Sequence, residues 1–348
     1  MLVKKTIGLV AAGAVALTSA LSVATVAEAA KKIQVQASSK SGDWAHRFMT
    51  DKYAPKLKEM TFGNLSIEVL PTQAVVPHRE TIDAVANGIL DGDLNAVSYF
   101  AGRDPAFAII GDLIAAYDTA DQVRTFCEYG GGKEILQKLY DKYTKGKLHV
   151  IGCGPYSKEA LVSKTEITTV DGLKGVKIRS PEGLAAEVFK RVGAAPVSLP
   201  FSEVYTALEK GLIDAADASA FVNNEASGMH KIAKFPIYPG IHSMAVLQFV
   251  VNKDVWGKLG KNGQTALEVW YQAAYDAMRR EADIEDRNIE RKYADGKDVK
   301  VINWAQAERD KFRSISVKAW EAFGAKTPLA KEALAAHLKF MKANGLLK

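Results

Sequence analysis

The sequence predicts an α/β protein of two similarly built lobes, with a long helix toward the C-terminus. Three observations lead there. The stretch 171–217 reads as strand, helix, strand, helix and strand in close succession, the alternation that builds a mostly parallel sheet. One piece of it, Glu203 to Asp214, matches Glu80 to Asp91 at a constant offset of 123 residues. Both copies run Glu, three residues, Ala, three residues, Gly, two aliphatics, Asp: a helix broken by glycine and turned into a strand. The third is a helical pattern of about 30 residues over 264–293, without internal glycine or proline.

The length of 348 residues and 48% hydrophobic content suffice for two cores. Residues 1–29 stand apart from both. Lys4 and Lys5 precede an apolar run and then Ala27, Glu28 and Ala29, the order of a secretory signal cleaved after Ala29. An uncleaved anchor helix is the competing reading, since the run approaches the ~20 residues that span a bilayer. The absence of cysteine near the cut excludes a lipoprotein anchor.

The precursor carries a formal charge of +6; removing two lysines and one glutamate with the leader leaves +5, spread along the chain. Such a field attracts small anions but lacks the basic blocks of a nucleic-acid binder. Cys127 and Cys153 are the only cysteines, and an exported chain permits a disulfide that spacing alone does not decide. Their spacing matches no metal-ligand pattern.

In chain order, Ile33, Val35 and Ala37 alternate as a first strand, and Ser38 to Gly42 forms a small polar loop suited to face a ligand. A helix is expected over 44–60, a strand over 65–69, a helix over 79–87 and a strand over 89–97. Helical segments over 121–143 break at Gly130 to Gly132, and a strand follows over 148–153. In the central stretch a strand ends on Arg179, Ser180 and Pro181 open a helix, 196–199 is a strand, and 201–210 is a helix stopped by Gly211. A helix over 223–233, a turn over 236–240 and a strand over 244–252 complete the pattern before the long helix, which either leans along both lobes, meets a partner or is a solvated flank.

No catalytic set emerges. Gly130 to Lys133 lacks the spacing of a phosphate loop, no serine occupies a nucleophile elbow, and the six histidines show no metal spacing. Asp91 with Asp93, and Asp214 with Asp217, are strand-end carboxylates better suited to binding loop amides than to acid–base work. Arg179 is different. An arginine at the carboxyl end of a strand lies where open α/β sheets bind ligands, and its planar fork meets a carboxylate through two parallel hydrogen bonds.

At these residues the chain resembles the solute-binding receptors of TRAP transporters, the DctP family. The resemblance is carried by Leu173 to Arg179, by Val192 to Pro196 and by Pro200 to Asp214, and it extends over essentially the whole chain. It implies a two-lobed periplasmic binding protein with a ligand cleft between the lobes: a leader over 1–29, lobe I over 30–152 with a returning strand and helices from about 250–348, and lobe II over 153–249. It implies a receptor rather than an enzyme, a small organic anion as ligand and membrane permease subunits as partners. Arg179 becomes the carboxylate ligand and Phe201 an aromatic lining the pocket.

The segment Tyr238 to Gly240 and the long helix are most similar to the branch that binds 2-oxo acids and lactate. Some members of that branch hold a metal beside the substrate and dimerise through a C-terminal helix, so a monomer or such a dimer is expected. This chain departs from that branch at the metal. Asp217 and Ala218 stand where the branch carries Glu-Trp, and Ser157 and Lys158 stand where a glutamine is usual. The expectation is therefore no cofactor, with Asp217 the ligand should a sodium or calcium ion bind. The remaining candidates are Lys158 as a second cation, Asp217 as acceptor from a substrate hydroxyl, Tyr99 and Phe100 as caps, and His242 on the far wall. A sulfonate, aromatic acid or sugar acid is the alternative ligand, and a secreted α/β enzyme or a sensor's binding partner the alternative role.

Overall fold

The computed structural model describes residues 30–240 and 243–347. The leader and His242 lie outside the described residues. Among the described residues nine strands form two sheets. The first contains β1 (Lys31–Ala37), β2 (Leu65–Leu70), β3 (Gly92–Leu94), β4 (Leu148–Gly154) and β9 (Leu247–Asn252), in the spatial order β2-β1-β3-β9-β4. The second contains β5 (Leu161–Ser163), β6 (Lys177–Ser180), β7 (Ala195–Ser198) and β8 (Ala215–Asp217), in the order β5-β8-β6-β7. Strands β1, β2 and β3 pair in parallel, as do β6, β7 and β8; β9 runs antiparallel between β3 and β4. The sheet boundaries do not fall at 152 and 249, because β4 continues to Gly154 and β9 begins at Leu247.

The repeated motif folds twice in the same way. Gly88 and Gly211 both take the left-handed conformation, with φ of 73° and 70°. After each, the chain folds back so that Ile89 N donates to Ala84 O at 2.8 Å and Leu212 N to Ala207 O at 2.9 Å. The closing aspartates repeat as well. Asp91 accepts from Gln34 N at 2.8 Å and Asp214 from Lys177 N at 3.2 Å, each tying its turn to the neighbouring strand. These two carboxylates are structural, and the motif delivers β3 and β8 into equivalent places beside β1 and β6.

The long helix, Gly260–Lys292, begins four residues before the expected start and lays one stripe against the first sheet: Leu267, Trp270, Tyr271, Ala274, Tyr275 and Met278 are buried. Trp270 Nε1 donates to Tyr53 O at 2.7 Å. Gly152 of β4 lies against the Tyr271 ring so closely that a Cβ would collide with it. The helix Gln306–Gly324 packs across both lobes, meeting the helix Leu184–Arg191 of the second and Pro105–Gly111 of the first, while Pro328–Ala343 packs on Pro105–Gly111 and Gly132–Tyr143 of the first.

Several elements differ from expectation for local reasons. The helix over 44–60 is split by a π-helical segment, Phe48–Tyr53, ahead of Pro55, which has no N–H to continue the ladder. The helix after Arg179 starts at Leu184 rather than at Pro181, because Gly183 adopts a φ of 92° against Ala101 and Ala108 of the first lobe. The segment over 223–233 becomes the helix Phe221–Ala226 and a 3-10 turn Met229–Lys231, separated by left-handed Gly228. The strand over 89–97 shortens to β3 alone. Cys127 and Cys153 are joined in a disulfide, with Cα atoms 5.9 Å apart, linking the helix Ala120–Tyr129 to β4.

Candidate functional site

The carboxyl ends of β1, β6 and β8 converge on a cleft of about 880 Å³, its open mouth included, between the two sheets. Arg179 stands on its wall with only 3% of its surface exposed. As the third residue of β6 it is flanked in register by Val197 of β7 and Ala216 of β8. The guanidinium bridges the ends of both neighbours: Nε donates to Leu199 O at 2.8 Å and Nη1 to Asp217 O at 2.7 Å. Nη2 is buried and has no protein acceptor. A buried charged donor without a partner costs free energy, so the fold holds open a position for an acceptor.

The rest of the wall is mostly uncharged. Ser38 and Ser39 from the loop after β1, Ser98, Tyr99, Tyr156 and Asn223 offer hydrogen bonds, while Met49, Phe201, Leu247, Tyr275 and Met278 supply apolar surface. Among the described lining residues Arg179 is the only arginine or lysine. Glu159 is the acid of the wall. Burial, the Asp217 carboxyl hydrogen-bonded to it and nearby Asp112 push its carboxyl well above the usual range, with Arg179 opposing. His78 packs edge-on against Tyr99, and burial followed by the charges of Arg79 and Arg179 lowers its pKa.

The structure brings some sequence candidates together and separates others. Arg179, Phe201 and Tyr99 line the cleft. Phe100 does not: it is 1% exposed and packs edge-on against Phe107 in the core. Successive residues of the 3-10 turn Val97–Phe100 point about a third of a turn apart, so Tyr99 and Phe100 cannot both face the ligand. Asp217 is fully buried beneath the wall and acts through its backbone carbonyl on Arg179 and its carboxyl on Glu159. Lys158 is outside the cleft lining, although Ser157 and Glu159 on either side are in it; its side chain turns to the opposite face. Glu159, Met49, Tyr275 and Met278 were not anticipated from sequence.

The lobes meet around this cleft. Ala45 N donates to Asn223 Oδ1 at 3.2 Å, Ser227 Oγ to Asp43 at 3.2 Å, and Arg79 of the first lobe pairs with Glu182 of the second at 2.7 Å. Residues 36–327 match the model of the DctP family, the bacterial extracellular solute-binding proteins of family 7. The chain belongs to the DctP family. Among its relatives is a monocarboxylate 2-oxoacid-binding periplasmic protein of Nostoc sp., 32% identical over 66% of this chain and 64% of that protein, just under two thirds of its length. The 2,3-diketo-L-gulonate-binding periplasmic protein YiaO of Escherichia coli is 29% identical over 66% of this chain and 68% of its own.

Solved DctP-type structures share the architecture. A TRAP periplasmic solute-binding protein from Rhodobacter sphaeroides, in an apo open structure, is 38% identical and superposes with a TM-score of 0.74 over 91% of this chain and 99% of that one. One from Pseudoalteromonas atlantica with bound sodium and pyruvate is 24% identical, with a TM-score of 0.76 over 91% and 95%, and shows the common fold. Among the described residues no helix is long and apolar enough to cross a membrane.

Proposed function

We propose that this chain is the extracytoplasmic receptor of a TRAP-type uptake system, exported by a leader over 1–29, that captures a 2-oxo or 2-hydroxy monocarboxylate and delivers it to membrane permease subunits. The observation that carries this reading is the buried, unpartnered Nη2 of Arg179 on the cleft wall. A carboxylate there completes the guanidinium's hydrogen bonding, while Ser38, Ser39, Ser98 and Tyr99 offer partners for an adjacent oxo or hydroxyl oxygen. A single cation, an acid and an apolar wall favour one carboxylate over two, because a second would sit without a counter-charge. The binding site and the names of the relatives support a receptor role, with capture by a shift of the lobe equilibrium toward the closed form.

Among the described residues no group of three or more histidine, cysteine or acidic side chains is placed to hold an ion. No step is routed through a metal here.

The test is isothermal titration of pyruvate, lactate and malonate into the wild type and Arg179→Ala. The monocarboxylates should bind the wild type more tightly than malonate. Truncating one partner of a buried charge pair costs about 2–5 kcal/mol, roughly a 30- to 4,000-fold loss of affinity. Wild-type affinity in Arg179→Ala would overturn the assignment.

A further inference from the structure

Lys158 lies in the segment joining the two sheets and borders two recesses: one holds the acids Asp121, Asp283, Asp286 and Glu290 with Arg279 and Arg287, and the other, with Arg309 and Arg313, shares no lining residue with the cleft. The latter recess, about 780 Å³ with its open mouth, is bounded by the loop carrying Asp118, by Pro239 and Gly240, and by one side of the helix Gln306–Gly324. Three cations meet there: Lys158, Arg309 and Arg313. Arg313 is engaged, donating from Nε to Ala115 O at 2.8 Å and from Nη2 to Asp118 at 2.5 Å. Arg309 has only neutral partners, Trp304 O at 3.1 Å and Asn303 Oδ1 at 2.7 Å, which leave Nη1 for another acceptor. Among the described residues nothing forms an ion pair or hydrogen bond with the Lys158 ammonium, its backbone carbonyl alone accepting from Ser157 Oγ at 3.2 Å.

Asp118 is thus the one acid among the described lining residues against three cations, an excess of two positive charges. Asp283, the other acid whose field reaches Lys158, is paired with Arg279 at 3.1 Å. Burial, then the field of Arg309, lowers the pKa of Lys158, and burial lowers that of Arg309. Like charges partly stripped of water with no counter-ion are costly, and an anion among them removes the cost.

We propose that this recess is a second anion site, independent of the cleft, that takes a small tetrahedral dianion of the phosphate or sulfate class. Two uncompensated charges match a dianion. An ammonium from the inter-sheet segment and two guanidinium groups from one helix suit an acceptor with oxygens in several directions better than a planar carboxylate. The occupant ties the inter-lobe segment to a helix that packs on both lobes, and so stabilises the folded protein.

The experiment is equilibrium dialysis of labelled inorganic phosphate against the purified protein at constant ionic strength in sodium chloride, paired with thermal unfolding. One phosphate per chain should bind, and the melting temperature should rise with phosphate beyond the rise with matched chloride. Arg179→Ala should bind phosphate as the wild type does, whereas Lys158→Gln and Arg309→Gln should each bind it at least about tenfold more weakly. Circular dichroism checks both variants; should one fail to fold, the other decides, and Lys158→Arg should restore binding. Loss of phosphate binding in Arg179→Ala, wild-type binding in the glutamine variants, or a phosphate effect no larger than that of chloride would each overturn the proposal.

Discussion

Asp93 has no exposed surface and accepts hydrogen bonds from Thr81 Oγ1 at 2.6 Å and Gln248 Nε2 at 3.3 Å, too few to offset the loss of water around a full charge. Burial raises its pKa from 3.8 to about 7, and burial does the same to Asp286 on the long helix, whose carboxyl accepts from Val222 N at 2.7 Å. Between pH about 4 and 7 the native protein keeps protons that the unfolded chain releases, so stability from these groups is full below that window and lost as pH rises through it. The urea midpoint should therefore fall between pH 4 and 7, and a variant carrying Asp93→Asn and Asp286→Asn should flatten the fall. A double variant with the wild-type slope would refute the assignment. The place of Arg179 on the cleft wall was legible because a strand-end arginine beside a helix start lies where open α/β sheets keep their clefts, while its role toward a carboxylate rests on the family resemblance. The facing of Tyr99 against Phe100, or of Lys158 against its neighbours, was not, since one dihedral decides which side of the wall a residue occupies. Tyr275 and Met278 left no signal either: they belong to the same apolar stripe as Trp270 and Tyr271, and only tertiary placement carries part of it past the sheet to the cleft.

Elements were readable wherever the pattern was repeated or punctuated. The glycine-broken motif predicted two equivalent units, and its hydrogen bonds repeat residue for residue. What sequence could not place were defects inside helices, where Pro55 and Gly228 act on the ladder locally. Nor could it decide the disulfide, which depends on a helix and a strand meeting in space. That bond joins residues 26 apart in sequence, for which chain entropy gives about 3.5 kcal/mol. Replacing both cysteines by serine should lower unfolding stability in urea by roughly that amount while leaving ligand affinity near the wild-type value, because neither cysteine lines the cleft. A large loss of affinity at unchanged stability would show that the bond instead sets the position of the inter-lobe segment.

At the scale of the whole molecule, the repeated motif predicted two similarly built lobes and the family resemblance implied a cleft between them, and the two sheets with a cleft between them agree with both. The order of strands adds a constraint that composition cannot express. Strand β9 lies between β3 and β4 in the first sheet, yet it is the last strand in the chain; every strand of the second sheet precedes it. A chain emerging from its N-terminus can therefore finish the second sheet while the first still has a gap at its centre, with the facing edges of β3 and β4 unpaired. Those open edges are the vulnerable surface of the half-made protein. Pulse-labelled hydrogen exchange during refolding should find amides of β6 and β8 protected before those of β3 and β4, and simultaneous protection of both sheets would contradict this order. The last strand to be made is then the keystone of the first lobe, and the first half of the chain must wait for it.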